Sequence, residues 1–414
     1  MQEIIDYTNN KLNETYSEHK KKAMNVIKNY IISHNLILYG NLAIKEYLKD
    51  KIEIDEVDSY YQCISLNGRK NIAEIITILR ELEYANFNTS ILHLPFGIKC
   101  IIAFNEFEKK LPILEVLHVN KYEYYRIKAT IEGKQLKIIH PLLLKINLLN
   151  DLIDPLNYYN NWKDSYNKLL LLDEYCDELK WSNKNIKTKR KPIAKEKELI
   201  DLLVANGVIF TGDFVYNLYQ KCVKKPWLRL NKISVISFDS NKLVDKIKKK
   251  LGNNISIKTF DNKVSFIDKK ISVYYNKHNI LDIFEVPNAC VSYIDYNYRN
   301  KKIKVANYFM LLKYYYGHLW ENMSTKKVDN SYIAHIKGMI KNLISARETY
   351  LRDKKLLGIA SSKGNQLFMI FGLKCDYLTE NYTNMQYHNM KIWEYKKTHT
   401  EEEYRKAKKI CEPI

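Results

Sequence analysis

Glycine is scarce in this chain, with 12 in 414 residues. Cysteine is also sparse and odd in number: seven, scattered, with no Cys-x-x-Cys, while the ten histidines form no His-x3-His pair. That argues against a disulfide framework or a zinc site and fits a reducing compartment such as the cytoplasm. No apolar run reaches the roughly 18 residues of a membrane span. Residues 1–10 carry acids and polar side chains, unlike a secretory leader. The expectation is a protein with no membrane partner. Acids are in deficit, 47 against 67 Lys and Arg, for a formal net charge of +20. An excess of that size attracts polyanions, nucleic acid first. Lys, Asn, Ile and Tyr share A/T-rich codons, so a skewed genome is a second source of the lysine.

An apolar content of 46% is that of a globular protein, and 414 residues exceed one ordinary core. Residues up to about 33 keep helical apolar spacing at Ile4, Ile5, Leu12, Met24, Ile27, Ile31 and Ile32. "LILYG" (36–40) reads as a buried strand ending at Gly40, and "NLAIKEYLKD" as the helix after it. "EVDSYYQCIS" (56–65) reads as a strand and 71–85 as an amphipathic helix. Strands follow at 89–94, 98–104 and 112–119, then helix from His140 to about Cys176 with a break at Pro155. The basic stretch 180–198 is a linker: a solvated connector, or a strap across RNA phosphates.

After the linker the order of elements returns. "GVIFTGDFVYNLYQK" (207–221) lies over "NLILYGNLAIKEYLK" (35–49) without a gap, with Gly212 falling 172 residues after Gly40. A strand at 232–239, a helix at 241–252 and strand-like stretches at 254–259, 263–267, 270–275 and 280–286 complete a second α/β unit. Residues from about 302 onward read as helices. The expected fold class is α+β, two duplicated α/β units with mixed sheets and flanking helices, plus helical segments. Domains are expected at 1–185, 186–300 and 301–414.

Gly40 can adopt backbone angles closed to other residues. At a strand-to-helix junction it allows close approach of a ligand to a helix N-terminus, which suits phosphate. Glu56 and Asp58, two apart on a strand, share a face. Glu115 sits inside the apolar strand "ILEVL", where a lone acid is costly without compensation. Three converging acids beside a phosphate cradle can hold two divalent cations, the device of nucleotidyl transfer.

In "YGN", "EVD" and "LEV" the chain resembles the DNA polymerase β-type nucleotidyltransferases. With the segment 136–176, including Pro141, Asp154-Pro155 and Trp162, it is similar to the poly(A) polymerases of poxviruses and other large cytoplasmic DNA viruses. The resemblance implies two nucleotidyltransferase-like units, the second degenerate. It implies template-independent transfer of AMP from ATP to RNA 3′ ends with Mg²⁺ or Mn²⁺. Glu56, Asp58 and Glu115 would hold the metals; Gly40 and Asn41 would touch the triphosphate; Lys145, Lys163 or Lys168 would contact phosphates. Host cytoplasm or virion would be the location, with a homodimer or a processivity subunit compatible. Three departures stand out: Asn41 replaces the usual Gly or Ser, and Glu56 and Glu115 stand where Asp is usual. They keep open the alternative of a catalytically degenerate, RNA-binding scaffold paralogue. In the second unit Ser234 and Ile236 align with Glu56 and Asp58, and only Asp282 or Glu285 could mimic Glu115. That unit is expected to be structural, walling an RNA or ATP cleft. The tyrosine-rich stretches 120–128 and 313–320 suit either RNA stacking or a core.

Overall fold

The computed structural model describes residues 20–48, 51–52, 60–82, 87–94, 97–106, 109–119, 121–128, 131, 136–153, 155–175, 195–225, 228, 230, 232–252, 254–260, 269–285, 293–324, 330–353 and 368. Glu56 and Asp58, most of the expected linker and the strand expected at 263–267 lie outside them. The chain divides into two compact units. One comprises Met1–Asn147, Lys168–Glu178 and Ser324–Lys326; the other comprises Leu148–Asn167, Leu179–Met323 and Lys327–Ile414.

In the first unit, helix α1 (residues 20–33) leads into β1 (Ile37–Tyr39), α2 (Gly40–Leu48), β2 (Tyr61–Ser65) and α3 (Gly68–Glu81). The strands β3 (Phe87–Leu94), β4 (Gly97–Glu106) and β5 (Lys109–His118) follow, then α4 (Lys121–Lys128), β6 (Lys137–Ile138), α5 (Pro141–Ile153) and α6 (Pro155–Tyr175), of which the stretch Leu148–Asn167 counts with the second unit. The sheet order is β3-β4-β5-β2-β1-β6. Tyrosine and β-branched residues favour the short central strands, and all three residues of β1 are buried. Helix α3 turns Ile72, Ile75 and Leu79 inward at helical spacing. Each such side chain contributes about 1.5–3 kcal/mol on burial.

The second unit runs α7 (Glu196–Ala205), β7 (Ile209–Thr211), α8 (Gly212–Cys222), β8 (Ile233–Ser237) and α9 (Ser240–Leu251). It continues with β9 (Ile255–Phe260), β10 (Lys269–Tyr275), β11 (His278–Glu285), β12 (Tyr293–Tyr298), β13 (Lys301–Ala306), α10 (Tyr308–Met323) and α11 (Asn330–Asp353). Its sheet order, β9-β10-β11-β8-β7-β13-β12, repeats the first with one strand added. The strand senses repeat as well. β1–β2 and β7–β8 are antiparallel, whereas β2–β5, β8–β11, β1–β6 and β7–β13 are parallel. The expected α+β class and the duplication are both present.

One reading is corrected. Residues 301–306 form β13, not the start of a helix, and pair with β7 and β12. Their alternation in "KIKV" is that of a strand. Arg299 and Asn300, at φ 48° and 60°, form the two-residue turn that starts the hairpin; paired positive φ values mark the turn that matches strand twist. Residues 313–320, within α10, are core rather than an RNA surface. Tyr315, Tyr316, Leu319 and Trp320 are buried, and Arg347 lies over the rings of Tyr166 and Tyr308 at 5.0 and 5.4 Å. In α4, Tyr124 is buried while Tyr125 is exposed. Among the described residues no helix is long and apolar enough to cross a membrane.

Candidate functional site

Gly40 opens α2 at φ +72°, the left-handed region. A Cβ there would lie 1.7 Å from Gln62 Oε1, so only glycine lets the Gln62 side chain cross the turn. The Asn41 N–H donates to Gln62 Oε1 at 3.3 Å, and Lys168 Nζ donates to Asn41 Oδ1 at 3.1 Å. The turn, Asn41 and Lys168 are therefore brought together. Lys145 is 1% exposed and pairs with Asp173 at 2.7 Å. This internal ion pair stands where a phosphate contact was expected. Lys163 falls within α6, but its side chain is not among those described.

Glu115 is 2% exposed on β5. Three neutral donors converge on its carboxylate. The Tyr39 hydroxyl donates to Oε1, Gln62 Nε2 donates to Oε1 at 3.3 Å, and the Tyr60 hydroxyl donates to Oε2 at 3.4 Å. Burial pushes the Tyr39 phenol well above its ordinary range, and the Glu115 charge pushes it further, so it stays a donor. The register explains the convergence: Gln62 stands directly opposite Glu115 and pairs with Tyr39 on its other side. Tyr60, two residues before Gln62, lies on the same face by the two-residue period.

Two divalent cations need several converging carboxylate oxygens. Among the described residues no group of three His, Cys, Asp or Glu side chains could hold an ion. Of the three expected acids Glu115 alone is described, and the strand position facing it is an amide. Gln62 bridges Asn41 N–H and Glu115, so its two polar ends are both engaged. These described residues do not fit a two-cation centre.

The second unit supplies an internal comparison. There Thr211, Ser234 and Asp282 occupy the registers of Tyr39, Gln62 and Glu115. This corrects the alignment of Ser234 with Glu56: Ser234 is the counterpart of Gln62. It also selects Asp282 over Glu285 as the counterpart of Glu115. Asp282 is 0% exposed and accepts from Ser272 Oγ at 2.6 Å and Asn279 Nδ2 at 2.9 Å. It is ion-paired to Lys232 and, at 3.4 Å, to Lys270. Burial alone would favour the neutral acid, but the two lysines outweigh it and hold the carboxyl well below the usual range. Asp213, in the place of Asn41, accepts from the Tyr315 hydroxyl at 3.3 Å. Two ammonium groups thus satisfy the acid of this unit from within the protein.

Among solved structures, that of the Megavirus polyadenylate synthase matches with a TM-score of 0.70 at 19% identity, over 96% of this chain and 84% of that one. The chain has the fold of that viral polyadenylate synthase. No protein-family profile and no curated protein matches the chain. Tyr60 and Gln62 escaped the sequence reading because the acid pair just upstream drew the motif away from them. The signal was available: the spacing that carries Gly40 to Gly212 carries Gln62 to Ser234, on a strand already recognised.

Proposed function

We propose that this chain is an RNA-binding, non-transferring relative of the polyadenylate synthases, a scaffold subunit acting beside an active transferase in the cytoplasm. One observation carries the reading: the residue paired with the buried Glu115 on the neighbouring strand is an amide, Gln62, and not a second acid. Its amide links Glu115 to the glycine turn. An amide offers a cation a neutral oxygen in place of a charged carboxylate, and one of that oxygen's two lone pairs already accepts from Asn41 N–H. The net charge of +20 supports RNA as the partner.

A second reading is favoured by a different observation. A buried acid, Glu115, is retained near a positive-φ glycine, Asn41 and Lys168, an arrangement suited to a nucleoside triphosphate. In that reading the chain is itself the adenylyltransferase, and Glu56 and Asp58 supply the remaining carboxylates for Mg²⁺ or Mn²⁺. Labelled ATP and an RNA primer separate the two. The scaffold reading expects RNA binding with log affinity falling linearly with log salt, and no AMP incorporation with either ion. Incorporation by the unaltered chain, lost in Glu115→Gln and in Asp58→Ala, would overturn it.

A further inference from the structure

The two units differ most usefully at one groove, formed by the C-terminus of the first helix, the end of the second strand and the start of the helix after it. In the first unit the groove is filled. The Tyr30 and His34 rings stack at 3.8 Å, Asn71 Nδ2 donates to the Tyr30 hydroxyl at 2.9 Å, and that hydroxyl donates to Glu74. His34 lies 3.8 Å from Glu74. At the spacing that relates Gly40 to Gly212, Tyr30 becomes Leu202, His34 becomes Asn206, Asn71 becomes Leu243 and Glu74 becomes Lys246. Two aromatic rings are gone, and the acid has become a base.

The result is an open cleft of about 350 Å³ in the second unit, lined by Asn206, Gly207, Phe238, Asp239, Lys242 and Lys246 over an apolar floor that includes Val208 and Ile236. That volume is within the range of small-ligand sites. Phe238 lines it and is 39% exposed, a large aromatic side chain left accessible to solvent. Lys242 and Lys246 lie one turn apart on α9, so both ammonium groups reach the same side. Lys246 Nζ donates to Asn206 Oδ1 at 2.5 Å, which holds it over the cleft. The helix N-terminus itself is already capped, because Asp239 Oδ1 accepts from Lys242 N–H at 3.0 Å. An anion is therefore drawn toward the two lysines and away from the Asp239 edge. An aromatic face beside two spaced cations is the arrangement that grips a single-stranded nucleic acid, the base on the ring and the phosphates on the ammonium groups.

We propose that this cleft is an RNA subsite of the second unit, with one base against Phe238 and the flanking phosphates at Lys242 and Lys246. The inference rests on the RNA-binding reading above and names the place where that binding occurs. The test uses the full chain and a fluorescein-labelled oligoadenylate, with anisotropy followed across a salt series. Lys242→Ala combined with Lys246→Glu, the first unit's charge, is expected to weaken binding about tenfold or more. It should also make the log–log salt slope shallower by about 1.4, the contribution of two phosphates. Phe238→Ala is expected to weaken binding about fivefold or more while leaving the slope unchanged, since stacking releases no counterions. Lys249→Ala with Lys250→Ala removes two charges from the same helix outside the cleft and serves as the control. An oligonucleotide carrying 5-iodouridine should photocrosslink to the peptide containing Phe238. An equal effect of the control pair, or crosslinks confined elsewhere, would overturn the subsite. Failure of the unaltered chain to bind RNA at all would overturn the RNA-binding reading itself, a result distinct from the first.

Discussion

Replacing Gln62 by aspartate places a second acid opposite Glu115 and asks whether that pair binds a divalent cation that the amide does not. Neighbouring strands lie about 4.8 Å apart, and two carboxylates 4–5 Å apart repel by about 3–4 kcal/mol at an effective dielectric of 20. The hydrogen bond from Gln62 Nε2 to Glu115 is also lost, at about 1.5–3 kcal/mol for a charged acceptor. In chelator, Gln62→Asp should therefore cost about 4.5–7 kcal/mol, a large share of the 5–15 kcal/mol that holds an ordinary domain. At about 2–4 °C per kcal/mol for a unit of this size, the melting temperature falls by roughly 10–25 °C. A divalent ion that binds the new acid pair at a hundred times its Kd returns about 2.7 kcal/mol. Melting curves with chelator and with millimolar Mn²⁺ should show this recovery in Gln62→Asp and no Mn²⁺ response in the unaltered chain. A Mn²⁺ response in the unaltered chain that disappears in Glu115→Gln would refute the reasoning. So would a Gln62→Asp variant as stable in chelator as its parent, because residue 62 would then not face Glu115.

Other consequences concern the second unit. Asp282→Asn leaves Lys232 and Lys270 without their buried counter-charge, a change that costs about 3–5 kcal/mol. Because the Asp282 carboxyl titrates below its unfolded value of about 3.9, its stabilisation is complete above that pH and fades as the pH falls below it. Urea unfolding should show a large gap between variant and parent at pH 7 that narrows at pH 3. Burial, reinforced by Lys232 and Lys270, lowers the His318 imidazole from 6.5 to about 3. The unfolded chain then binds the extra proton between those values, so stability should drop by about 1.4 kcal/mol for each unit of pH below 6.5, with a shallower dependence in His318→Gln. Gly212 and Gly207 share φ +63°, but a Cβ at Gly212 would lie 3.0 Å from Ser234 Cβ whereas one at Gly207 meets nothing within 4 Å. Calorimetry should find Gly207→Ala weaker by about 1–2 kcal/mol, the left-handed strain alone, and Gly212→Ala weaker by more than that.

The sequence by itself determined the periodic features: the apolar faces of α3 and α9, the buried strands β1 and β5, and the repeat that places Gly212 after Gly40. Those patterns are local, and backbone geometry converts them directly into helix, strand and turn. It also determined that an acid would be buried on β5, because Glu115 lies between apolar neighbours on a central strand. What faces that acid was a matter of register between strands far apart in the chain, and only the tertiary structure decided it. A carboxylate pair three to five residues before β2, Glu56 and Asp58, is conspicuous in the text, yet strand pairing gives the place opposite Glu115 to Gln62. Tertiary structure alone also decided the fate of the lysines. Lys145 is drawn into a buried pair with Asp173, Lys168 toward Asn41, and Lys232 with Lys270 onto Asp282. Composition counts each of these charges alike, but an ammonium group is available to a ligand only where packing leaves it facing solvent, and packing is a property of the folded chain.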